Sequence, residues 1–216
     1  MALQAVIFDF DGVCIDTERA RYLSYQRICA AYGFELPLDE WVKNIGMASW
    51  VSHPIDLLEE AIGVKVDREA LDAQHRIAEV EIANAMPLQP GLLDRLTEAK
   101  YLGIARGIAS SSSHNWVDGH LKRRGLFDLV DVIICREDTG VHKPDPGPYL
   151  AALTKLGVSS ANALAVEDST TGIASAKAAG LYCIAVPCSM TGDMDMSTAD
   201  RLVGSLEEVS WGEIGW

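Results

Sequence analysis

The sequence predicts an α/β protein, a parallel sheet with crossover helices into which an all-helical module is inserted after the first strand. Three observations carry this reading. Residues 5–10 hold five apolar residues in six positions and then stop on Asp11 and Gly12, with Asp9 inside the run. Such a run suits a strand buried on both faces, as central parallel strands are. From Leu92 onward, apolar strand patterns alternate with helical ones, the pattern of a parallel sheet with crossover helices. Between these two regions the text is helical throughout, and no strand candidate interrupts it.

After Gly12, the residues Tyr22, Tyr25, Ile28, Cys29 and Tyr32 recur at helical spacing up to Gly33, which reads as an amphipathic helix with a glycine stop. Further helix starts are expected at Asp39, near Ser49 to Ser52, and at Asp67. The segment Pro87-Leu88-Gln89-Pro90-Gly91 marks the exit from the module. Thr17 and this segment are then the hinges. The core comprises residues 1–16 and 88–216, and the helical module residues 17–87. Strands are expected at Ile104 to Ala109, Val130 to Cys135, Ala163 to Val166 and Tyr182 to Val186, with a weaker one at Leu202-Val203. The tryptophans Trp211 and Trp216 are expected to pack on the core.

Composition narrows the function classes. A 216-residue chain, 49% hydrophobic and 23% charged, is ordinary for a globular protein with a full core. Its net charge of −13 argues against nucleic acid or an anionic membrane surface as partner, because both call for clustered Lys and Arg. No stretch reaches the roughly 18 apolar residues of a membrane span, and the start lacks the basic region of a signal peptide. The five cysteines are odd in number and scattered, as expected of reduced thiols in a cytoplasmic protein. A monomer or weak dimer is expected.

In open parallel sheets, ligands bind at the carboxyl edge of the strands. The first strand ends on Asp9 and Asp11, which strand alternation would point the same way, and two close carboxylates invite a divalent cation. The second ends on Ser110-Ser111-Ser112-Ser113 before a helix near His114, where hydroxyls and free N–H groups can receive an anion. After the third comes Lys143, held before Pro144. The fourth ends on Glu167-Asp168, followed by a helix opening at Ser169-Thr170-Thr171-Gly172. Each has an ordinary explanation alone: a turn, an N-cap, a solvated lysine, a dipole cap. Together they form the inventory of phosphoryl transfer. Asp9, the carbonyl of Asp11 and Asp168 would suit magnesium, while Lys143 and Ser110 would orient phosphoryl oxygens.

The ordered set Asp9-x-Asp11-Gly12, Ser110, Lys143-Pro144 and Glu167-Asp168 resembles the haloacid dehalogenase-like superfamily, specifically its phosphatase and phosphomutase branch with a helical cap. The resemblance covers essentially the whole chain. It implies a Rossmann-like catalytic core with an inserted α-helical cap domain, Mg2+ as cofactor and a small phosphorylated metabolite as substrate. By the same resemblance Asp9 is the nucleophile that becomes an aspartyl-phosphate, and Asp11 is the general acid/base. Ser110 and Lys143 hold the phosphoryl group; Asp168 and Glu167 complete the metal site with Asp9 and Asp11. Ser111 and the cap residues Gly46, Arg21 and Arg76 are the expected substrate contacts.

The resemblance also ranks the alternatives. Dehalogenases of this superfamily lack the second carboxylate, so Asp11 favours phosphorus chemistry. Relatives of the β-phosphoglucomutase type carry a histidine ten residues after that aspartate and a Lys-Gly-x-x-Arg cap loop; here Arg21 and Ile45-Gly46-Met47-Ala48-Ser49 stand there. A phosphatase of a sugar or sugar-acid phosphate is therefore expected ahead of a mutase, and both ahead of a silent phosphometabolite-binding relative. One departure is Gly147, where relatives usually have an aspartate that caps a helix.

Overall fold

The computed structural model describes residues 2–45 and 49–214. The chain divides into two compact units, one formed by Met1–Ile15 with Leu88–Trp216 and the other by Asp16–Pro87. The first is a Rossmann-like α/β core.

Its sheet has six strands in the order β3-β2-β1-β4-β5-β6: β1 (Ala5–Phe8), β2 (Ala105–Ala109), β3 (Val132–Ile134), β4 (Ala163–Glu167), β5 (Tyr182–Ala185) and β6 (Arg201–Leu202). All neighbouring pairs are parallel. β1 lies between β2 and β4, with Phe8 level with both Ile108 and Val166. This register brings the residues after Phe8, Ala109 and Val166 to one edge. β3 is shorter than the apolar pattern suggests. The chain before it turns at Phe127–Leu129, and exposed Asp131 is spent on bracing Arg106, whose Nε donates to it at 2.9 Å.

One face of the sheet buries Ile7, Ala109, Ile134, Ala165 and Cys183 against Tyr149, Ala152, Ile173 and Ala176. Removing such apolar surface from water, at about 25 cal/mol per Å2, is what holds the layers together. Phe8 meets the ring of Trp211 edge-on at 6.2 Å, and the Trp211 indole N–H donates to Arg95 O at 2.8 Å. Trp211 therefore packs on the core; Trp216 lies outside the described residues.

The second unit contains α1 (Thr17–Ala31), α2 (Leu38–Val42), α3 (Pro54–Ile62) and α4 (Arg68–Ala85). Asp16 and Asp67 cap α1 and α4 by accepting from Arg19 N and Ala70 N, which satisfies backbone donors that the helix leaves open. The α1–α4 seam carries a buried polar pair, Ser24 Oγ and His75 Nδ1 at 2.6 Å, with the Tyr25 ring stacked on His75 at 3.9 Å. Trp41 is buried beside Tyr22 and Tyr25.

Five helices complete the core: α5 (Leu92–Tyr101), α6 (His114–Arg123), α7 (Arg136–Thr139), α8 (Gly147–Leu156) and α9 (Thr170–Ala178). Gly147 opens α8 after Pro146 at the N-cap, and Asp145 Oδ1, one residue further back, accepts from Gly147 N at 2.8 Å. Among the described residues no helix is long and apolar enough to cross a membrane.

Candidate active site

The strand order reverses across β1 and β4, and in parallel sheets the crevice at such a reversal receives ligands. Asp9 follows β1 there, its N–H donating to Val166 O at 2.9 Å, so the backbone of β4 fixes its height. Glu167 is the last residue of β4 and Asp168 the next. Asp9, Glu167 and Asp168 are all buried, and one carboxylate oxygen from each lies within 4.8 Å of the others.

Lys143 enters this group from the β3–α8 connection. Its Nζ donates to Asp9 Oδ1 at 2.5 Å and to Glu167 Oε1 at 2.6 Å, and the Tyr149 hydroxyl donates to the same Glu167 oxygen at 2.6 Å. The loop that carries the lysine is pinned twice. Lys143 N donates to Ser111 Oγ at 3.2 Å, and Ser175 Oγ donates to Asp145 O at 2.6 Å. Ser111, expected to meet substrate, accepts from the backbone of Lys143 and keeps its O–H as a donor.

Two glycines make room for the carboxylates. Gly12 has φ +88°, and a Cβ there would overlap the Asp168 carboxylate; a side chain is excluded by both conformation and space. A Cβ on Gly172, in the first turn of α9, would overlap the Glu167 carboxylate.

Asp11 lies two residues beyond Asp9, after the end of β1 at Phe8. Its carboxylate accepts from Trp116 Nε1 at 2.9 Å on Oδ1, and from Ser112 Oγ at 2.6 Å and Ser110 Oγ at 3.3 Å on Oδ2. The serine run therefore faces Asp11 with two hydroxyls. Ser110 Oγ also accepts from Ser112 N at 3.0 Å, and Ser113 caps α6.

Burial pushes the Asp9 carboxyl up to about 8; the Lys143 ammonium opposes this, and the charges of Glu167 and Asp11 add to it. Burial by itself would lower Lys143, but Asp9 and Glu167 reverse that and hold it above its usual range. Burial is the main cause at Asp9, and in the same group two buried carboxylates share one ammonium with a third carboxylate beside them. Buried charge of one sign is costly without a counterion. An all-oxygen set of three carboxylates is the kind that suits a hard divalent cation such as magnesium.

Thus Asp9, Asp11, Ser110, Ser111, Lys143, Glu167 and Asp168 converge in the core unit. Arg21 and Arg76 belong to the helical unit. Arg21 stacks on the Trp50 ring, with its Cζ 4.7 Å from the centroid, and Arg76 is exposed on α4. Gly46 lies outside the described residues. Sequence reasoning missed Trp116 and Tyr149, and it read Ser112 only as one hydroxyl of the serine run, not as a donor to Asp11. Trp116 and Tyr149 each follow a motif by six residues, Ser110 and Lys143 respectively, on helices whose apolar periodicity hides a polar atom aimed at the site.

The family model described as haloacid dehalogenase-like hydrolase matches residues 6–186. YhcW of Bacillus subtilis (strain 168), whose name classes it provisionally as a phosphatase, is 42% identical over 207 residues, spanning 96% of this chain and 94% of that one. The phosphorylated carbohydrates phosphatase of Thermotoga maritima is 30% identical over 180 residues, spanning 83% and 82%. Among solved structures, a mutant of CbbY from Rhodobacter sphaeroides in complex with xylulose-(1,5)bisphosphate matches with TM-score 0.76 and 28% identity, covering 96% of each chain. With the family match running from the first strand to the end of the fifth, this chain belongs to the haloacid dehalogenase-like hydrolases, in the branch of the β-phosphoglucomutase and CbbY type.

Proposed function

We propose that this phosphoric monoester hydrolase acts on a small phosphorylated metabolite, a sugar or sugar-acid phosphate, with Asp9 as nucleophile and Mg2+ as cofactor. The observation that carries the reading is Lys143 bridging Asp9 and Glu167 beside Asp168, at the reversal of the sheet. Asp9, Glu167 and Asp168 would hold the cation with the backbone carbonyl of Asp11. When bound, it would neutralise charge on Asp9 and on the phosphoryl oxygens.

The chain's own residues divide the remaining work. An Asp9 oxygen attacks phosphorus as the ester P–O bond breaks, giving an aspartyl-phosphate, while Asp11 gives its proton to the departing alkoxide. Asp11 then takes a proton from water, whose oxygen displaces Asp9 and releases inorganic phosphate. Lys143 and Ser110 orient the transferring oxygens. Trp116 and Ser112 position Asp11 for both proton transfers. In the helical unit, Arg21, Arg76 and Gly46 are the candidates for contacting the rest of the substrate, and a guanidinium such as that of Arg21 would pair with a second anionic group.

The sugar-phosphate class is supported by the name of the Thermotoga relative and by the bisphosphate held in the CbbY complex. Hydrolysis is favoured over isomerisation because Arg21, ten residues after Asp11, cannot exchange a proton near neutral pH. All five cysteines are buried free thiols, which suits a reducing compartment such as the cytoplasm. The test is phosphate release from p-nitrophenyl phosphate and from a panel of phosphorylated sugars and sugar acids, with magnesium and with EDTA. Absence of magnesium-dependent release across the panel would overturn the reading.

A further inference from the structure

Away from the β1–β4 crevice, one cluster combines nitrogen, oxygen and sulfur donors. His114 opens α6, Asp118 follows one turn later on the same helix face, and Cys135 directly follows β3. One ligand atom from each lies within 4.8 Å of the others. The two ring nitrogens of His114 have separate partners: Nδ1 lies 3.3 Å from Asp118 Oδ1, and Nε2 lies 2.7 Å from Asp138 Oδ2. The same Asp138 oxygen accepts from Cys135 N at 2.8 Å, so one carboxylate fixes both the imidazole and the backbone of the cysteine.

We propose that His114, Asp118 and Cys135 form a second metal site, one that takes a borderline-soft divalent cation of the zinc class. A thiolate and an imidazole are poor ligands for magnesium and good ones for zinc, which separates this cluster from the oxygen-only set at Asp9. With Asp138 accepting Nε2–H, the proton that Nδ1 shares with Asp118 must leave to solvent on binding, and the Nδ1 lone pair is then the one presented to the ion. This is the carboxylate–histidine–metal arrangement that orients ligands in zinc proteins. The charges suit a cation too: Asp118, Asp138 and Glu137 surround the position, and Lys155 meets Asp138 on its other oxygen at 3.2 Å. Cys135 is buried, but His114 and Asp118 are partly exposed, which gives the ion a path from solvent.

Zinc holds sulfur at about 2.3 Å and nitrogen at about 2.0 Å, so tetrahedral ligands sit roughly 3.5 Å apart. Small side-chain rotations must therefore draw the three atoms inward. On binding, the Cys135 thiol gives its proton to solvent, since the thiolate is the ligand. A fourth position stays open to water. Occupancy would also tie together the segment that holds Asp11. Arg136 N donates to Ser112 O at 3.0 Å, and His114 N donates to Glu137 Oε2 at 3.2 Å, so hydrogen bonds already join the start of α6 to the start of α7.

The test titrates Co2+, a spectroscopic substitute for zinc, into the full chain with excess Mg2+ present to occupy the oxygen site. The expected result is a thiolate-to-cobalt charge-transfer band that saturates at one ion per chain and is abolished by an equivalent of Zn2+. The band should vanish in Cys135→Ser, and Asp138→Asn should weaken binding roughly 10- to 100-fold, as loss of an outer-shell partner does. No thiolate band in the parent would overturn the proposal, as would a band surviving Cys135→Ser with the other four cysteines intact. Should Cys135→Ser not fold, the partly exposed His114→Ala decides: unchanged cobalt affinity there overturns the site.

Discussion

The indole N–H of Trp116 donates to Oδ1 of Asp11 at 2.9 Å, so a helix after β2 positions a carboxylate delivered by β1. A hydrogen bond to a charged group contributes roughly 1.5–3 kcal/mol. Trp116→Phe keeps an aromatic ring next to His120 and removes the donor together with part of the indole's volume, so a fold check by circular dichroism accompanies it. We expect kcat on p-nitrophenyl phosphate to fall about tenfold, whereas Asp11→Asn should cost roughly 10²- to 10⁴-fold as proton transfer is lost. A Trp116→Phe enzyme with parental kcat would show that Ser110 and Ser112 suffice to place Asp11.

Asp9→Asn should abolish phosphate release, because an amide is a far poorer nucleophile. The fold should survive, since Lys143 retains Glu167 as partner at 2.6 Å. Circular dichroism checks the fold and a phosphate assay checks turnover. Appreciable turnover in the purified variant would remove Asp9 as nucleophile.

Lys143→Met leaves Asp9, Glu167 and Asp168 buried together with no ammonium among them. Breaking a buried ion pair in this way costs roughly 3–5 kcal/mol, or on the order of 10 °C in Tm for a chain of this size. Thermal unfolding in EDTA should show that loss, and magnesium should restore more stability to the variant than to the parent. Equal magnesium effects on both would argue that the cation binds elsewhere.

His75 provides a pH signature of the helical unit. Burial is the main cause that pushes its imidazole down to about 3, and the charges of Arg21 and Arg76 add to it, while Glu79 Oε2 lies 3.5 Å from Nε2. Below the ordinary value of 6.5 the unfolded chain takes up a proton that the folded chain refuses. The contribution of neutral His75 is thus complete above pH 6.5 and is lost as pH falls toward 3, by roughly 2 kcal/mol at pH 5. His75→Gln does not titrate, so the parent's stability advantage over it, read by urea unfolding, should shrink between pH 7 and pH 5. A constant difference would show that His75 does take up the proton when folded.

The strand ends were legible because chemistry-bearing residues there sit next to breaks in apolar runs. Asp9 follows Phe8, Glu167-Asp168 precedes a hydroxyl-rich helix start, and Lys143 stands before proline. The helical insertion was legible from period alone. What sequence could not supply was orientation. Which groups hold the Asp11 carboxylate depends on how β1 and β2 pair, because Ser110, Ser112 and Trp116 all follow β2. Tyr149 and Trp116 contribute one polar atom each from rings that otherwise read as apolar, so only their placement in three dimensions shows the hydrogen bond. At position 147 a side chain would meet Val141 and Asp145, whose Oδ1 accepts from the backbone N–H there.

Gly172 has a consequence for anyone who would engineer this protein. Glycine within a helix is the first residue that a propensity-guided redesign replaces, with an expected gain of up to about 1 kcal/mol for alanine. Here the added methyl would occupy the space of the Glu167 carboxylate, the anchor of both Lys143 and Tyr149. Gly172→Ala should therefore lower stability and activity together, which makes the most attractive thermostabilising substitution on α9 the one to leave alone.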